Sequence, residues 1–345
     1  MPEREVRKIA EEHLRPLNQG LLTVGSAVKF SEFVESEYKP IMLPLMAKST
    51  QGRYSGVIKN YLKPQFGDLC LRDLTPLTIQ KFLSGFAQSA LSYESRDKIR
   101  DVLSSILASA AQHGFLVHNP VEGLRLPPRK RGRPSKPYVT PAHFSALVEL
   151  IPEPYATMVF VAVYTGLRIS ELIGLRWSDI HEDSITVDER FCRGEWGAPK
   201  SKASNATIPV NLAVIERIRA LKSLTVTVRA GSGKRIYKVV KSDGPNDLVF
   251  QSLVKGGTMR DNNILVRHIK PAACRLGLQF VNWRCLRTSH ATWLKLAGAD
   301  VKDAQAQMRH SRASTTLDLY QQFVPESQRR VVGRLTELQG SQMVN

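Results

Sequence analysis

The chain has 345 residues, enough for two domains that each bury a core of their own. Its 49 Lys and Arg outnumber 31 Asp and Glu, and the resulting charge of +18 favours an extended polyanion as partner, with a merely basic soluble protein as the plain alternative. No segment approaches the ~20 apolar residues of a membrane-spanning helix, which disfavours a membrane partner, and the charged N-terminus (Glu3, Arg4, Arg7, Lys8) has no apolar signal core, so the expected location is the cytoplasm.

Residues 1–22 read as a helical lead-in ending at Asn18-Gln19-Gly20. From 23 to 118 the apolar spacing predicts a small all-helical domain: Phe30, Phe33 and Val34, then Val57, Ile58, Tyr61 and Leu62, recur on one face. Thr75-Pro76 signals a helix start before Leu77, Ile79, Phe82 and Leu83, and Val102, Leu103, Ile106 and Leu107 mark the last helix before His113-Gly114. Residues 119–138 change character, with Pro127, Pro128, Pro134 and Pro137 among Arg125, Arg129, Lys130, Arg131, Arg133 and Lys136. Proline denies this linker a helix, and its charges keep it in solvent or on phosphate.

A second domain is expected over 139–330, opening with Thr140 as a cap and Pro141 at the first helical position. Met158 to Tyr164 is nearly all apolar and predicts a buried helix that ends at Thr165-Gly166-Leu167-Arg168-Ile169-Ser170-Glu171-Leu172. Gly166 lets the chain turn there, and Glu171 lies one turn on from Arg168, close enough to hold its guanidinium. Ser184–Val187 and Ala206–Val210 read as strands around Pro199-Lys200-Ser201-Lys202-Ala203-Ser204. Alternation on both sides of Gly231-Ser232-Gly233 predicts an inserted hairpin over about 224–241, carrying Arg229, Lys234, Arg235, Lys238 and Lys241. That glycine-rich turn lacks the first glycine and the Ser/Thr of a phosphate loop. Cys70, Cys192, Cys274 and Cys285 are scattered, which fits free thiols better than disulfides or a zinc site.

The richest stretch runs from Arg284-Cys285-Leu286-Arg287 through Met308-Arg309-His310-Ser311 to Ser314-Thr315-Thr316-Leu317-Asp318-Leu319-Tyr320. Fixed guanidinium groups suit the charge that grows on a phosphodiester at its transition state. A tyrosine oxygen can attack phosphorus and leave again, storing the bond energy in a covalent intermediate. Cys285 and His290 are expected to pack rather than react.

These motifs resemble the tyrosine recombinases, the phage-integrase family, whose signature is Thr-Gly-Leu-Arg-x-Ser-Glu-Leu, a lysine turn of the form Lys-Thr-x-x-Ser-x-Arg-x-Ile-Pro, a His-x-x-Arg box, Gly-His-Ser, and Ser-Thr-Thr-x-x-x-Tyr. Four departures stand out: Ser201 for threonine, Ala206 for arginine, Arg284 for the first histidine of the box, and Arg309 for glycine. The resemblance implies a mainly α fold with small β elements (α+β), in which a helical core-binding domain and a mixed α/β catalytic domain form a clamp around DNA. It implies a site-specific recombinase of a mobile element that needs no metal or nucleotide cofactor.

By the same resemblance Tyr320 is the nucleophile, Arg168 and Arg287 hold the non-bridging oxygens, and His310 hydrogen-bonds the same phosphate. Lys200 protonates the departing 5′-oxygen, with Lys202 as its rival, and Arg284 neutralises phosphate without acting as a base. Arg129, Lys130, Arg131, Arg133 and Lys202 are the expected DNA contacts. The expected assembly is a homotetramer on double-stranded DNA, monomeric or weakly associated when free. The tail over 331–345 either docks on a neighbouring protomer or packs on its own domain, and the inserted hairpin touches DNA or a neighbouring subunit. A non-enzymatic DNA-binding relative and a type IB topoisomerase are the alternatives.

Overall fold

The computed structural model describes residues 5–7, 23–129, 136–199, 202–230, 233–320, 329 and 332–333, and the chain divides into two compact units, 1–133 and 134–345. The lead-in and the C-terminal tail therefore lie almost wholly outside the described residues, as do Lys130, Arg131 and Arg133 of the linker and Lys200.

Lysine–proline pairs shape the helices of the first unit. Helix α1 (Phe30–Phe33) widens into a π-turn over Val34–Tyr38 just before α2 (Lys39–Met42), and α3 (Lys48–Val57) widens over Ile58–Leu62 before α4 (Lys63–Phe66). Pro40 and Pro64 supply no N–H, and the proline ring clashes with the carbonyl four residues back, so a wider turn is the accommodating geometry. Helix α5 (Pro76–Gly85) is capped by Thr75 Oγ1, which accepts from Thr78 N at 3.2 Å, and α6 (Tyr93–Gln112) by Ser92 Oγ, which accepts from Ser95 N at 3.2 Å. Phe30, Phe33, Tyr38, Leu62, Phe66, Leu103 and Ile106 are fully or almost fully buried in the core of this unit. Arg129 folds back onto α6, ion-paired to Glu94 at 2.9 Å and stacked over the Tyr93 ring.

In the second unit α7 (Pro141–Glu149) is capped by Thr140 Oγ1, which accepts from His143 N at 3.3 Å. Helix α8 (Tyr155–Thr165) buries Ala156, Met158, Val159, Val161 and Val163, and is thus enclosed on most of its circumference. Helix α9 (Ile169–Gly174) follows after three residues. Strands β1 (Ser184–Val187) and β4 (Ala206–Pro209) pair antiparallel with Ile185 opposite Ile208, both buried. The connection between them is not a simple hairpin turn. Strands β2 (Arg190–Cys192) and β3 (Glu195–Gly197) form a second ribbon there, closed by Arg193 and Gly194 at φ 54° and 90° and tied by an edge-on Phe191–Trp196 pair. Two successive positive φ values match the twist of a two-residue hairpin.

Helix α10 (Leu212–Ala220) leads to β5 (Thr225–Ala230) and β6 (Gly233–Lys238), an antiparallel pair with Val226 opposite Tyr237 packed on the core. Thr225, Thr227, Val228 and Arg229 of β5 and the rest of β6 are exposed, with Ile236 73% exposed between the exposed Lys234 and Lys238. Helix α11 (Asp261–Ile264) widens into a third π-turn, Leu265–Ile269, before Pro271 in α12 (Lys270–Arg275). Helix α13 (Trp283–Ala297) is capped by Asn282 Oδ1, and α14 (Val301–Met308) and α15 (Ala313–Tyr320) complete the described unit. The chain entering this unit is clipped to α13: Val139 N donates to Ser289 Oγ at 2.8 Å, and Trp293 Nε1 donates to Val139 O at 2.9 Å. Among the described residues no helix is long and apolar enough to cross a membrane.

Candidate active site

The end of α8 is where the site begins. Thr165 Oγ1 donates to Val161 O and accepts from Leu167 N at 3.2 Å, and Gly166 turns the chain at φ +63°. Arg168 then stands at the N-cap of α9, and Glu171 doubles back on it. Glu171 Oε2 accepts from Arg168 N and Oε1 from Arg168 Nη1, both at 2.8 Å, so the carboxylate satisfies an orphan helix donor and orients the guanidinium at once. The same Nη1 reaches Ser204 Oγ at 3.0 Å, which ties Arg168 to the segment that follows the lysine turn. Lys202 opens the one-turn helix Lys202–Ser204.

Arg287 lies in the second turn of α13. It donates from Nη1 to Gly166 O and from Nη2 to Met308 O, the ends of α8 and α14. Three of its five N–H donors remain for a ligand. Arg309 follows Met308 in the left-handed conformation, φ 52° and ψ 48°, and its side chain is 1% exposed. It donates from Nη2 to Glu171 Oε2 at 2.8 Å. A non-glycine residue there costs on the order of 1–2 kcal/mol relative to glycine. His310 is locked by backbone bonds to Gln305 and by Nδ1, which shares a hydrogen bond with Thr316 Oγ1 at 2.9 Å. Its Nε2 is therefore the nitrogen that can meet a substrate. Tyr320 closes α15 one helical turn beyond Thr316.

The electrostatics follow from this crowding. Burial alone would raise the Glu171 carboxyl, but the charges of Arg309 and Arg168 outweigh it and hold it below the usual carboxylate range. Burial, and then the neighbouring guanidinium of Arg168, pushes Arg287 down to about 9. Burial and the charges of Arg287, Arg168, Arg309 and Lys136 push His310 down to about 4, so its imidazole is neutral at pH 7. Three guanidiniums thus crowd about one carboxylate that ion-pairs with only two of them, Arg168 and Arg309, and an anion would relieve the like-charge strain. Arg284 is exposed in the first turn of α13, and the described contacts that knit Arg168, Arg287, Arg309 and His310 together do not include its side chain. Cations in the opening turns of a helix oppose its dipole, so neither Arg284 nor Arg287 is placed for helix stability.

Sequence reasoning missed Arg309 as a buried partner of Glu171, Thr316 as the partner of His310, and Lys136 as a neighbour of His310. The one available signal was the glycine-to-arginine departure at a helix end. His290 is 5% exposed, with Nδ1 bonded to Val163 O at 2.7 Å, and Cys285 is 4% exposed, so both pack. Among the described residues no group of three His, Cys, Asp or Glu could hold a metal ion. A groove of about 940 Å³ beside β5 and β6 is lined by Tyr155, Arg229, Arg260 and His268 and contains none of the residues above.

Two expected outcomes arise from the packing behind the site. A Cβ on Gly166 would stand 2.5 Å from His290 Cδ2 and 3.0 Å from Met308 Sδ, at a φ that L-residues avoid. Gly166→Ala should therefore cost on the order of 2–3 kcal/mol in urea unfolding and shift the carbonyl that Arg287 grips. The second concerns pH. Burial, then the Arg287 and Arg309 charges, pushes His290 down to about 4 in the fold, against 6.5 for an ordinary histidine. The unfolded chain therefore takes up a proton that the folded chain refuses. Stability is complete above pH ~6.5 and falls by on the order of 3 kcal/mol as pH drops toward ~4. His290→Gln should flatten this part of the urea-midpoint profile, and an unchanged slope would reject the assignment.

Converging guanidiniums and a neutral imidazole, set at the head of the helix that carries Tyr320, define a site suited to an anion held by fixed charge. The chain belongs to the phage integrase family, the tyrosine recombinases, which are site-specific DNA recombinases: residues 138–326, more than half of the chain, match that family, and residues 29–87 match the phage integrase N-terminal SAM-like domain. It is 22% identical to the tyrosine recombinase XerC-like protein of Caldanaerobacter subterraneus subsp. tengcongensis, over 97% of this chain and 89% of the relative. It is 24% identical to the ICEBs1 integrase of Bacillus subtilis strain 168, over 82% and 76%. Its fold is similar to the Tn1549 transposon integrase in complex with transposon right end DNA (TM-score 0.67, 18% identity, 90% of this chain and 100% of that one) and to a lambda integrase in a tetramer bound to a Holliday junction (TM-score 0.66, 17% identity, 94% and 89%).

Proposed function

We propose that this integrase cuts and rejoins two DNA duplexes through a covalent 3′-phosphotyrosyl intermediate on Tyr320, in the cytoplasm, as a tetramer assembled on DNA. The observation that carries the reading is the gathering of Arg168 at the N-cap of α9, Arg287 in the second turn of α13 and His310 just beyond α14, with Tyr320 on the helix whose Thr316 holds His310. The phenol oxygen attacks phosphorus and the 5′-oxygen leaves; Lys200 supplies the proton that makes it a 5′-hydroxyl. Arg168 and Arg287 hold the non-bridging oxygens as charge builds, an interaction strongest at the transition state. His310, neutral at pH 7, accepts the tyrosine proton through Nε2 or donates to the phosphate once protonated. Arg284 and Lys202 add charge toward the DNA, joined by Lys130, Arg131 and Arg133 of the linker, while Arg129 must exchange Glu94 for phosphate to take part.

Rejoining is the same path run backwards with the 5′-hydroxyl of another strand. The phosphotyrosyl bond conserves the energy of the phosphodiester, so the reaction consumes no nucleotide and fixed cations supply the charge stabilisation. The likeness in fold to a lambda integrase tetramer on a Holliday junction supports a four-site assembly. The test is a nicked duplex library in which cleavage releases a short fragment that diffuses away. A protein–DNA adduct stable to denaturant and sensitive to protease is expected, and sequencing the attached strand reads out the target. No adduct from the intact chain on any library member rejects the reading.

A further inference from the structure

Arg309 does something that the glycine of the family pattern cannot do. Its side chain is 1% exposed, as is that of Glu171, and the two meet at 2.8 Å. Glu171 is also the carboxylate that orients Arg168, through Oε1 to Nη1 at 2.8 Å and through Oε2 to the Arg168 amide. One buried negative charge is therefore divided between two guanidiniums. Had Glu171 only Arg168 to face, that ion pair would be neutral, with the arginine's charge spent on the protein. With Arg309 present the trio keeps a net positive charge, and the Arg168 side chain, 29% exposed, is the member that can offer it to a ligand. The backbone argues the same way, since arginine occupies a left-handed helix end, φ 52°, where glycine sits at no cost.

We infer that Arg309 is a positioning residue: it anchors Glu171 from behind, so that Arg168 stays both oriented and electrostatically free for the scissile phosphate. This rests on the recombinase reading above, and it assigns Arg309 no contact with the DNA.

The experiment is a double-mutant cycle in Arg309→Gly and Glu171→Gln, read by single-turnover cleavage of the nicked substrate, with Arg309→Lys as the conservative variant. Glycine relieves the backbone, so the fold should tolerate the change. Arg309→Gly is expected to slow cleavage about 10- to 100-fold with duplex affinity and Tm held, and Arg309→Lys to recover much of the loss. In the Glu171→Gln background Arg309→Gly should cost little more, because the charge it balances is gone. A cleavage rate for Arg309→Gly within about twofold of the parent, or losses that simply add across the cycle, overturns the inference. The rise in Tm with inorganic phosphate gives a second readout that needs no turnover, and Arg309→Gly should blunt it. If the parent makes no adduct while the phosphate response still collapses in Arg309→Gly, the recombinase reading fails and the role of Arg309 stands. An undiminished response in the variant overturns that role.

Discussion

Tyr320→Phe is expected to leave duplex binding intact and to form no covalent adduct on a nicked substrate on which the parent chain should accumulate one. The substitution removes one oxygen, the only atom the proposed chemistry needs from that side chain, and keeps the ring and the helix that ends there. A charged donor set cannot replace it, because an ammonium or guanidinium has no free lone pair with which to attack phosphorus. Affinity for DNA is expected to come from phosphate contacts spread over the protein and should not change. An adduct from Tyr320→Phe as abundant as the parent's would mean that another residue attacks, and the reading of α15 would be wrong.

Arg287→Ala is the second large effect, with cleavage falling on the order of 10²–10³-fold, the usual loss when a preorganised donor to a developing anion is removed. Here the donor is also structural. Its Nη1 and Nη2 each hold a backbone carbonyl, Gly166 O and Met308 O, so removing the fork leaves two part-buried acceptors unpaired at a further cost on the order of 1–3 kcal/mol. Arg287→Lys should recover little of the rate, because one ammonium on a flexible stem cannot span two carbonyls and face a phosphate. Arg168→Ala separates the contributions. It should lose a similar factor in rate while leaving those two carbonyls satisfied, so a smaller drop in Tm is expected. Cleavage by Arg287→Ala within fivefold of the parent would sink the role assigned to it.

The octapeptide Thr165–Leu172 was legible because the bonds that shape it are local. The left-handed turn at Gly166, the Thr165 hydroxyl that pins it, the N-cap arginine and the glutamate that returns to it are contiguous, so the motif contains its own structural reasons. The helical first unit was legible for a related cause: Thr75-Pro76 and the spacing of Phe30 and Phe33 state their helices directly. Arg309 was not legible. It is 138 residues from Glu171, and an arginine after a helix ordinarily points to solvent; only the assembled fold encloses it. The β2–β3 ribbon was passed over although Phe191, Trp196 and the Arg193-Gly194 turn carried the signal, because the lysine turn around it drew the reading. Lys200 and the side chain of Tyr320 lie outside what the structure describes, so their roles rest on family resemblance and on the outcome of the cleavage assays.

The grip of Arg287 on two distant carbonyls has a safety consequence. Its acceptors lie 121 and 21 positions away, one at the close of an early helix and one near the end of the described chain. A nascent copy that has not yet made Met308, or one misfolded around α8, cannot aim this guanidinium, however complete the rest of its basic surface. On the function proposed above, such a copy keeps basic surface for DNA but lacks the aimed guanidinium that strand cleavage requires.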